Sequence, residues 1–317
     1  MPAQLKNRAP KNRTLTLSEE EIPSLEGMLS SVDKLGNAPK NDMIVNADLF
    51  ECLDLIPNES FELVIIDPPY NLSKSFSGLK FEAMDTPGYE RYLRSWFSKV
   101  CDKLRPTGSL YMCGDWQCSS SMQRVIEERL TVVNRITWQR EKGRGASRNW
   151  KNGMEDIWFA VKNREEYYFN VDAVKVKRRV LAPYRNSGRP KDWEESSSGN
   201  FRITCPSNFW DDITIPFWSM PENTDHPTQK PEKLYAKLIL ASTKEGDRIF
   251  DPFMGSGTSA VVAKKLGRGF LGIEISREYC LWAAKRLQLA SSNKTIQGYE
   301  DGLFWERNSL SFQKKHK

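Results

Sequence analysis

Apolar residues fall into two rhythms along this chain. Short unbroken runs such as Leu63-Val64-Ile65-Ile66 read as strands buried on both faces, while Tyr92, Leu93, Trp96, Phe97, Val100 and Leu104 recur at the spacing of one helix face. Taken in order, the pattern predicts strands over 43–46, 63–66, 109–113, 132–138, 157–161, 248–250 and 270–275. Between them it predicts helices over 49–55, 89–104, 119–129, 231–242, 258–266 and 277–289. Alternation of this kind belongs to the α/β class: a mainly parallel sheet with helices on both faces, here with 157–161 as one antiparallel strand.

The rhythm lapses in three places, and these divide the chain. Residues 1–40 are polar and predict a mobile N-terminal arm with one short helix over 19–29. Between 163 and 225 the periodicity gives way to prolines, serines, arginines and aromatics, which predicts an irregular insertion with a use of its own. Residues 291–317 form a polar C-terminal tail whose Phe304 and Trp305 are suited to pack back on the body. What remains, 41–162 and 226–290, reads as two halves of one domain.

Charge sharpens that division. Of the net +6, the stretch from Arg140 to Lys191 holds 14 Lys/Arg against 6 Asp/Glu, so the basic excess sits in and before the insertion. Phosphate neutralisation supplies most sequence-independent affinity for nucleic acid, and a basic insertion on a near-neutral body suits a polyanion. A solvated basic surface is the plainer reading of the same run. With 39% hydrophobic residues and no apolar run long enough to span a bilayer, the expectation is a soluble, intracellular protein with no membrane partner. The basic first residues lack an apolar core and cleavage site, so no secretory signal is expected. The six cysteines form no CxxC pair and only two histidines exist, which leaves little material for a metal site or a Ser/His/Asp triad.

Two motifs carry the candidate chemistry. Asp67-Pro68-Pro69-Tyr70 follows the run 63–66, and proline geometry keeps Asp67 and Pro68 from coiling into a helix, so their polar groups face the strand end. A carboxylate and a backbone carbonyl accept the N–H groups of a planar amine, and the Tyr70 ring offers a stacking face. The second motif, Asp251-Pro252-Phe253-Met254-Gly255-Ser256-Gly257-Thr258, reads as strand, glycine turn and helix, with Glu274 placed 19 residues after Gly255 at the end of the next strand. A carboxylate at that spacing accepts ribose hydroxyls. Because Gly255 to Ala260 also satisfies the relaxed dinucleotide fingerprint, a nicotinamide oxidoreductase stays in view, although it gives no reason for the Asp-Pro-Pro-Tyr corner.

Together the two motifs, tetrad first and glycine loop last, resemble the beta group of the amino methyltransferases that use S-adenosylmethionine to modify adenine N6 or cytosine N4 in DNA. His226-Pro227-Thr228-Gln229-Lys230-Pro231 is similar to the stretch preceding the glycine loop in that group, and the resemblance covers roughly residues 43 to 290. It implies a Rossmann-like methyltransferase fold with a target-recognition insertion over 163–225, and direct methyl transfer to a flipped-out base. It also implies catalytic roles for Asp67, Pro68, Pro69 and Tyr70. Cofactor contacts would come from Asp48, His226, Thr228, Lys230, Asp251, Phe253, Gly255, Ser256, Gly257, Thr258 and Glu274. Lys230, with Thr228 or His226, would hold the methionine carboxylate. Asp48 is read either as the acid approaching the cofactor adenine or as an N-cap, and Lys230 either as a ligand or as a surface lysine at a helix start. The loop from Asn71 to Gly88 is read either as a lid over the base or as an ordinary crossover.

Asp as the first tetrad residue favours adenine N6 in that family, with cytosine N4 or an RNA base as alternatives. DNA contacts are expected from Arg144, Arg148, Lys177, Arg178, Arg179, Arg185 and Arg189. The partner is then double-stranded DNA. A cognate restriction endonuclease, where one exists, would act separately. The location would be cytoplasmic and the protein a monomer or homodimer.

Overall fold

The central sheet has the strand order Met43–Asn46, Gly269–Glu274, Arg248–Asp251, Phe61–Ile66, Leu104–Gly114, Met154–Val161, Thr131–Gln139, Phe209–Trp210. The computed structural model describes residues 9–38, 42–76, 79–140, 147–180, 184–197 and 199–306. All neighbours in the sheet are parallel except where Met154–Val161 runs antiparallel to both Leu104–Gly114 and Thr131–Gln139. The mainly parallel sheet with one reversed strand is thus present as the hydrophobic pattern predicts.

Helices on both faces explain why the central strands are apolar throughout. In Phe61–Ile66, Leu63 and Ile65 enter one core, with helices Glu232–Ser242, Thr258–Lys265 and Arg277–Ser292, while Val64 and Ile66 enter the other, with Thr86–Lys103. A strand covered on both sides cannot alternate with polar residues. Each such side chain fully removed from water contributes about 1.5–3 kcal/mol. Thr86–Lys103 begins at Asp85, whose carboxylate accepts from the Gly88 N–H at 2.8 Å, and buries Leu93, Trp96, Phe97 and Val100 at the predicted spacing. Predicted helix 49–55 is shorter than expected: Leu49–Cys52 is α-helical and the chain tightens to a 3₁₀ turn over Leu53–Leu55.

The segment from 163 to 225 is less irregular than expected. Val176–Arg179, Glu194–Ser196 and Gly199–Thr204 form a second sheet, completed by Leu303–Trp305 and Tyr299–Glu300 from the C-terminal segment. Phe304 and Trp305 are buried there. Strands of two to six residues, rich in Arg and Lys, are too short for a period to emerge, and pairing with a segment more than 90 residues away leaves no local trace.

The N-terminal segment, expected as a mobile arm, lies against the body over its described part. Arg13 N–H donates to Trp218 O and Leu15 N–H to Asn223 O, Lys285 pairs with Glu21, and Leu17, Ile22, Leu25 and Leu29 pack on the core. Four apolar residues among polar ones are enough to dock a short segment, although too diluted to register as periodicity. No helix of the described residues is long and apolar enough to cross a membrane.

Candidate functional site

Parallel strands deliver their C-terminal ends to one edge of a sheet, and the two motifs meet there. Phe61–Ile66 pairs with Arg248–Asp251, Val64 opposite Phe250, so Asp67 and the loop after Asp251 leave the sheet side by side. A cavity of about 410 Å³ opens between them, lined among others by Asp67, Pro68, Pro69, Tyr70, His226, Thr228, Lys230, Phe253, Gly255, Ser256, Thr258 and Glu274. Lys230 ties the two halves together. Its backbone carbonyl accepts from the Thr258 hydroxyl at 3.0 Å, and its ammonium lies 2.5 Å from Asp67 Oδ2.

The floor of the cavity is a network of charged groups. Tyr70 hydroxyl donates to Asp67 Oδ1 at 2.9 Å and reaches Glu155 Oε2 at 3.3 Å; Lys230 Nζ stands 3.5 Å from Glu155 Oε2, and Arg140 pairs with Glu155 Oε1. Burial disfavours the Lys230 ammonium, but Asp67 and Glu155 favour it more, so its pKa is raised. Burial, then Asp67 and Glu155, push the Tyr70 phenol well above its ordinary value, which keeps it neutral. The Pro69 carbonyl accepts from Tyr89 hydroxyl at 3.0 Å, anchoring the corner to the helix below.

At the other end, Glu274 accepts from the Gly255 N–H and the Ser276 N–H, both at 2.8 Å, which aims its carboxylate at the glycine turn. Burial raises its pKa against those hydrogen bonds. Gly255 has φ +55°, and a Cβ there would lie 3.0 Å from His226 Nε2, so the turn and the imidazole are in close approach. His226 packs edge-on to Tyr279 and, chiefly through burial, is pushed down to about 4, leaving it neutral.

Three residues expected at the cofactor do not line the cavity. Asp251 is 2% exposed; one oxygen accepts from Ser259 hydroxyl at 2.5 Å and the other from Phe253 N–H at 3.1 Å, so it braces the loop from beneath. Burial raises it to about 7. Asp48 is the N-cap of Leu49–Cys52, accepting from Phe50 N–H at 2.9 Å, the second of its two readings. Gly257 faces helix Arg277–Ser292, where its missing Cβ makes room for Ala283. Lys230, read as a partner for the methionine carboxylate or as a surface lysine, is buried and held by two protein carboxylates.

The segment after Tyr70 forms a hairpin of Lys74–Phe76 and Leu79–Phe81 beside the cavity, to which Leu72, Lys74, Lys80 and Phe81 contribute. The basic residues separate into groups. Arg148, Arg179 and Arg189 are exposed. Lys177 sits over the Phe201 and Trp305 rings, Arg178 lies 3.8 Å from Glu306, and Arg185 pairs with Glu195 while covering Trp193, so these three also hold the second sheet together. Arg144 lies outside the described residues.

Glu155 and Arg140 were missed by the sequence reading. Because Met154–Val161 runs antiparallel, its first residues lie at the edge where the parallel strands end, Asp156 opposite Gly114. An acidic pair opening the single reversed strand was the available signal.

Comparison with known proteins points the same way. The N6/N4 methyltransferase family profile, described as DNA methylase, matches residues 61–285. The chain is 34% identical over 265 residues to the DNA adenine methyltransferase YhdJ of Escherichia coli (strain K12), covering 81% of this chain and 86% of that protein. It is 32% identical over 246 residues to the type II methyltransferase M.HpaI of Haemophilus parainfluenzae, covering 77% and 73% respectively. Among solved structures, the M1.HpyAVI–SAM complex matches with a TM-score of 0.51 and 26% identity, covering 77% of this chain and 98% of that one.

Proposed function

The chain belongs to the DNA methylase family, and from that membership we propose that it transfers a methyl group from S-adenosylmethionine to adenine N6 at a specific site in double-stranded DNA. The observation that carries the reading is Lys230, which joins the Asp67 corner to the glycine loop across one cavity. The relative named for adenine methylation favours the adenine reading.

The cavity suits this cofactor. Its volume is within the range of small-molecule sites, and a glycine turn, an acid at its mouth and a neutral imidazole match a ribose and a zwitterionic amino acid. Bound there, S-adenosylmethionine supplies a sulfonium methyl. Glu274 would accept the ribose hydroxyls, Phe253, Gly255, Ser256 and Thr258 would shape the turn around them, and His226, Thr228 and Lys230 would face the methionine end. Asp67 would accept one N–H of the target amine and the Pro68 carbonyl the other, which turns the nitrogen lone pair toward the methyl. The sulfonium would supply the methyl and leave as the thioether, and the proton the nitrogen loses after alkylation would pass to Asp67 or to solvent. No covalent enzyme intermediate is needed.

Asp67 lies on the cavity floor, so a base still stacked in a duplex does not reach it; extrusion of the base, at a cost of a few kcal/mol, belongs to this reading. Arg148, Arg179 and Arg189 are exposed and would meet phosphates. The proposed location is the cytoplasm, and any cognate endonuclease acts as a separate protein.

The test is transfer of labelled methyl from S-adenosylmethionine to DNA by wild type and Asp67→Ala, with the modified base identified after digestion. N6-methyladenine from wild type and none from the variant is expected. N4-methylcytosine, or label in RNA alone, would move the substrate assignment. Undiminished methylation by Asp67→Ala would overturn the role of the corner.

A further inference from the structure

A buried ammonium stands between two carboxylates on the cavity floor, and only one of these belongs to the Asp-Pro-Pro-Tyr corner. Lys230 Nζ is 2.5 Å from Asp67 Oδ2 and 3.5 Å from Glu155 Oε2, with the Lys230 and Glu155 side chains 5% and 4% exposed. The same ammonium lies 5.3 Å from the Tyr70 ring centroid. The first is the contact the proposed function gives to the target amine, an N–H on Asp67, and the second puts the ammonium at the ring expected to stack on the base.

Each Asp67 oxygen already accepts one donor, Oδ1 from the Tyr70 hydroxyl and Oδ2 from the Lys230 ammonium, although a carboxylate oxygen has room for a second. The ammonium 2.5 Å from Oδ2 competes with an incoming amine for that oxygen, so the amine binds Asp67 best as Lys230 withdraws. A buried cation does not withdraw into apolar surroundings, because an unpaired buried charge is costly, so it needs a second anion within reach. Glu155 Oε2 is that anion, and it is fixed in place because Arg140 holds the other oxygen. The exchange moves no proton and leaves the number of charges on the floor unchanged.

We propose that Glu155 is a positioning residue for the target amine: it takes the Lys230 ammonium from Asp67 as the amine enters, and so frees Asp67 to bind it. The inference rests on the assignment of Asp67 to the amine and deepens it. Were the cofactor carboxylate to draw Lys230 away instead, Glu155 would be dispensable for capture of the base.

The test uses the full-length protein and a duplex carrying its mapped site, with 2-aminopurine next to the target adenine, which keeps its N6 amine, to report extrusion by fluorescence. Glu155→Gln is expected to cut the fluorescence rise and to slow single-turnover methylation about tenfold or more. Its S-adenosylmethionine affinity, measured by titration calorimetry, should stay within about twofold of wild type. Glu155→Asp should recover part of the loss. With the ammonium removed by Lys230→Met, adding Glu155→Gln should change the fluorescence no further. Wild-type behaviour of Glu155→Gln would overturn the proposal. So would an equal effect of Glu155→Gln in the wild-type and Lys230→Met backgrounds, since Glu155 would then act without Lys230. If Glu155→Gln does not fold, as judged by its thermal melt, the same comparison is made with Glu155→Asp. Asp67→Ala separates the two levels: wild-type methylation by that variant sinks the underlying assignment whatever the Glu155 variants do.

Discussion

Substituting the two glycines of the cofactor turn should damage different properties, although they are two residues apart. Gly257 precedes helix Thr258–Lys265 with φ 78° and ψ 28°, and a Cβ there would lie 2.5 Å from Ala283 Cβ and 3.0 Å from Ala283 Cα. Those atoms belong to helix Arg277–Ser292, so relief requires two helices to part. The left-handed backbone costs an alanine roughly 1–2 kcal/mol and overpacking about 1–3 kcal/mol, so Gly257→Ala should lose about 2–5 kcal/mol of folding stability. Gly255 has φ +55°, but its nearest neighbour is a side-chain atom, His226 Nε2 at 3.0 Å. His226 lines the cavity, held by the Thr228 N–H and the Tyr279 ring, and a shift of about a few tenths of an ångström relieves the contact, so Gly255→Ala should lose mainly the backbone cost, about 1–2 kcal/mol. The displaced imidazole then occupies cofactor space, and S-adenosylmethionine affinity should fall about tenfold, or about 1.4 kcal/mol. Urea unfolding by linear extrapolation measures the first quantity and titration calorimetry the second. The reverse order, with Gly257→Ala nearly as stable as wild type and Gly255→Ala the more damaged fold, would refute the reasoning.

Two further outcomes follow from buried carboxylates. Burial raises Asp251 to about 7, above its ordinary 3.8, so between those values the folded state holds a proton that the unfolded state releases, and stability from this group falls as pH rises through the window. Asp251→Asn should flatten that part of the stability–pH curve; unfolding measured at steps from pH 4 to 8 decides it, and an unchanged slope would count against a protonated Asp251. Asp212 is buried between Lys233 and Lys237, 2.9 and 2.8 Å away, and despite burial the two ammoniums lower its pKa to about 2. Asp212→Asn leaves those ammoniums short of a counter-charge and should cost about 3–5 kcal/mol in urea unfolding, whereas a loss below about 1 kcal/mol would show the lysines re-paired elsewhere.

Legibility in the sequence followed the range over which each feature is specified. The corner at Asp67 was readable because a doubly covered strand must be apolar on both faces and the prolines end it within two residues. The glycine turn was readable for the same local reason, with φ above zero at Gly255 and Gly257. The bracing role of Asp251 was not legible because spacing gives the order of residues along a loop, not which side of it they face: Ser259 and Phe253 hold both its oxygens, and the acid braces the turn from below. The contacts that Lys177 and Arg178 make within the protein were not legible in the same way, since Trp305 and Glu306, which engage them, come from the far end of the chain.

Glu155 shows what the rule about strand ends omits. Sites in open α/β sheets are sought after the C-terminal residue of each strand. That description holds only for strands sharing one direction. What the ligand meets is an edge of the sheet, and a reversed strand contributes its beginning to that edge. Met154–Val161 is such a strand, and its second residue stands 3.5 Å from the ammonium that joins both motifs. Had 157–161 been extended three residues toward its N-terminus, its predicted reversal would already have placed Glu155 at the edge of the sheet where the parallel strands end. The reading of direction was correct and its consequence for the site followed from it; the short boundary hid the residue.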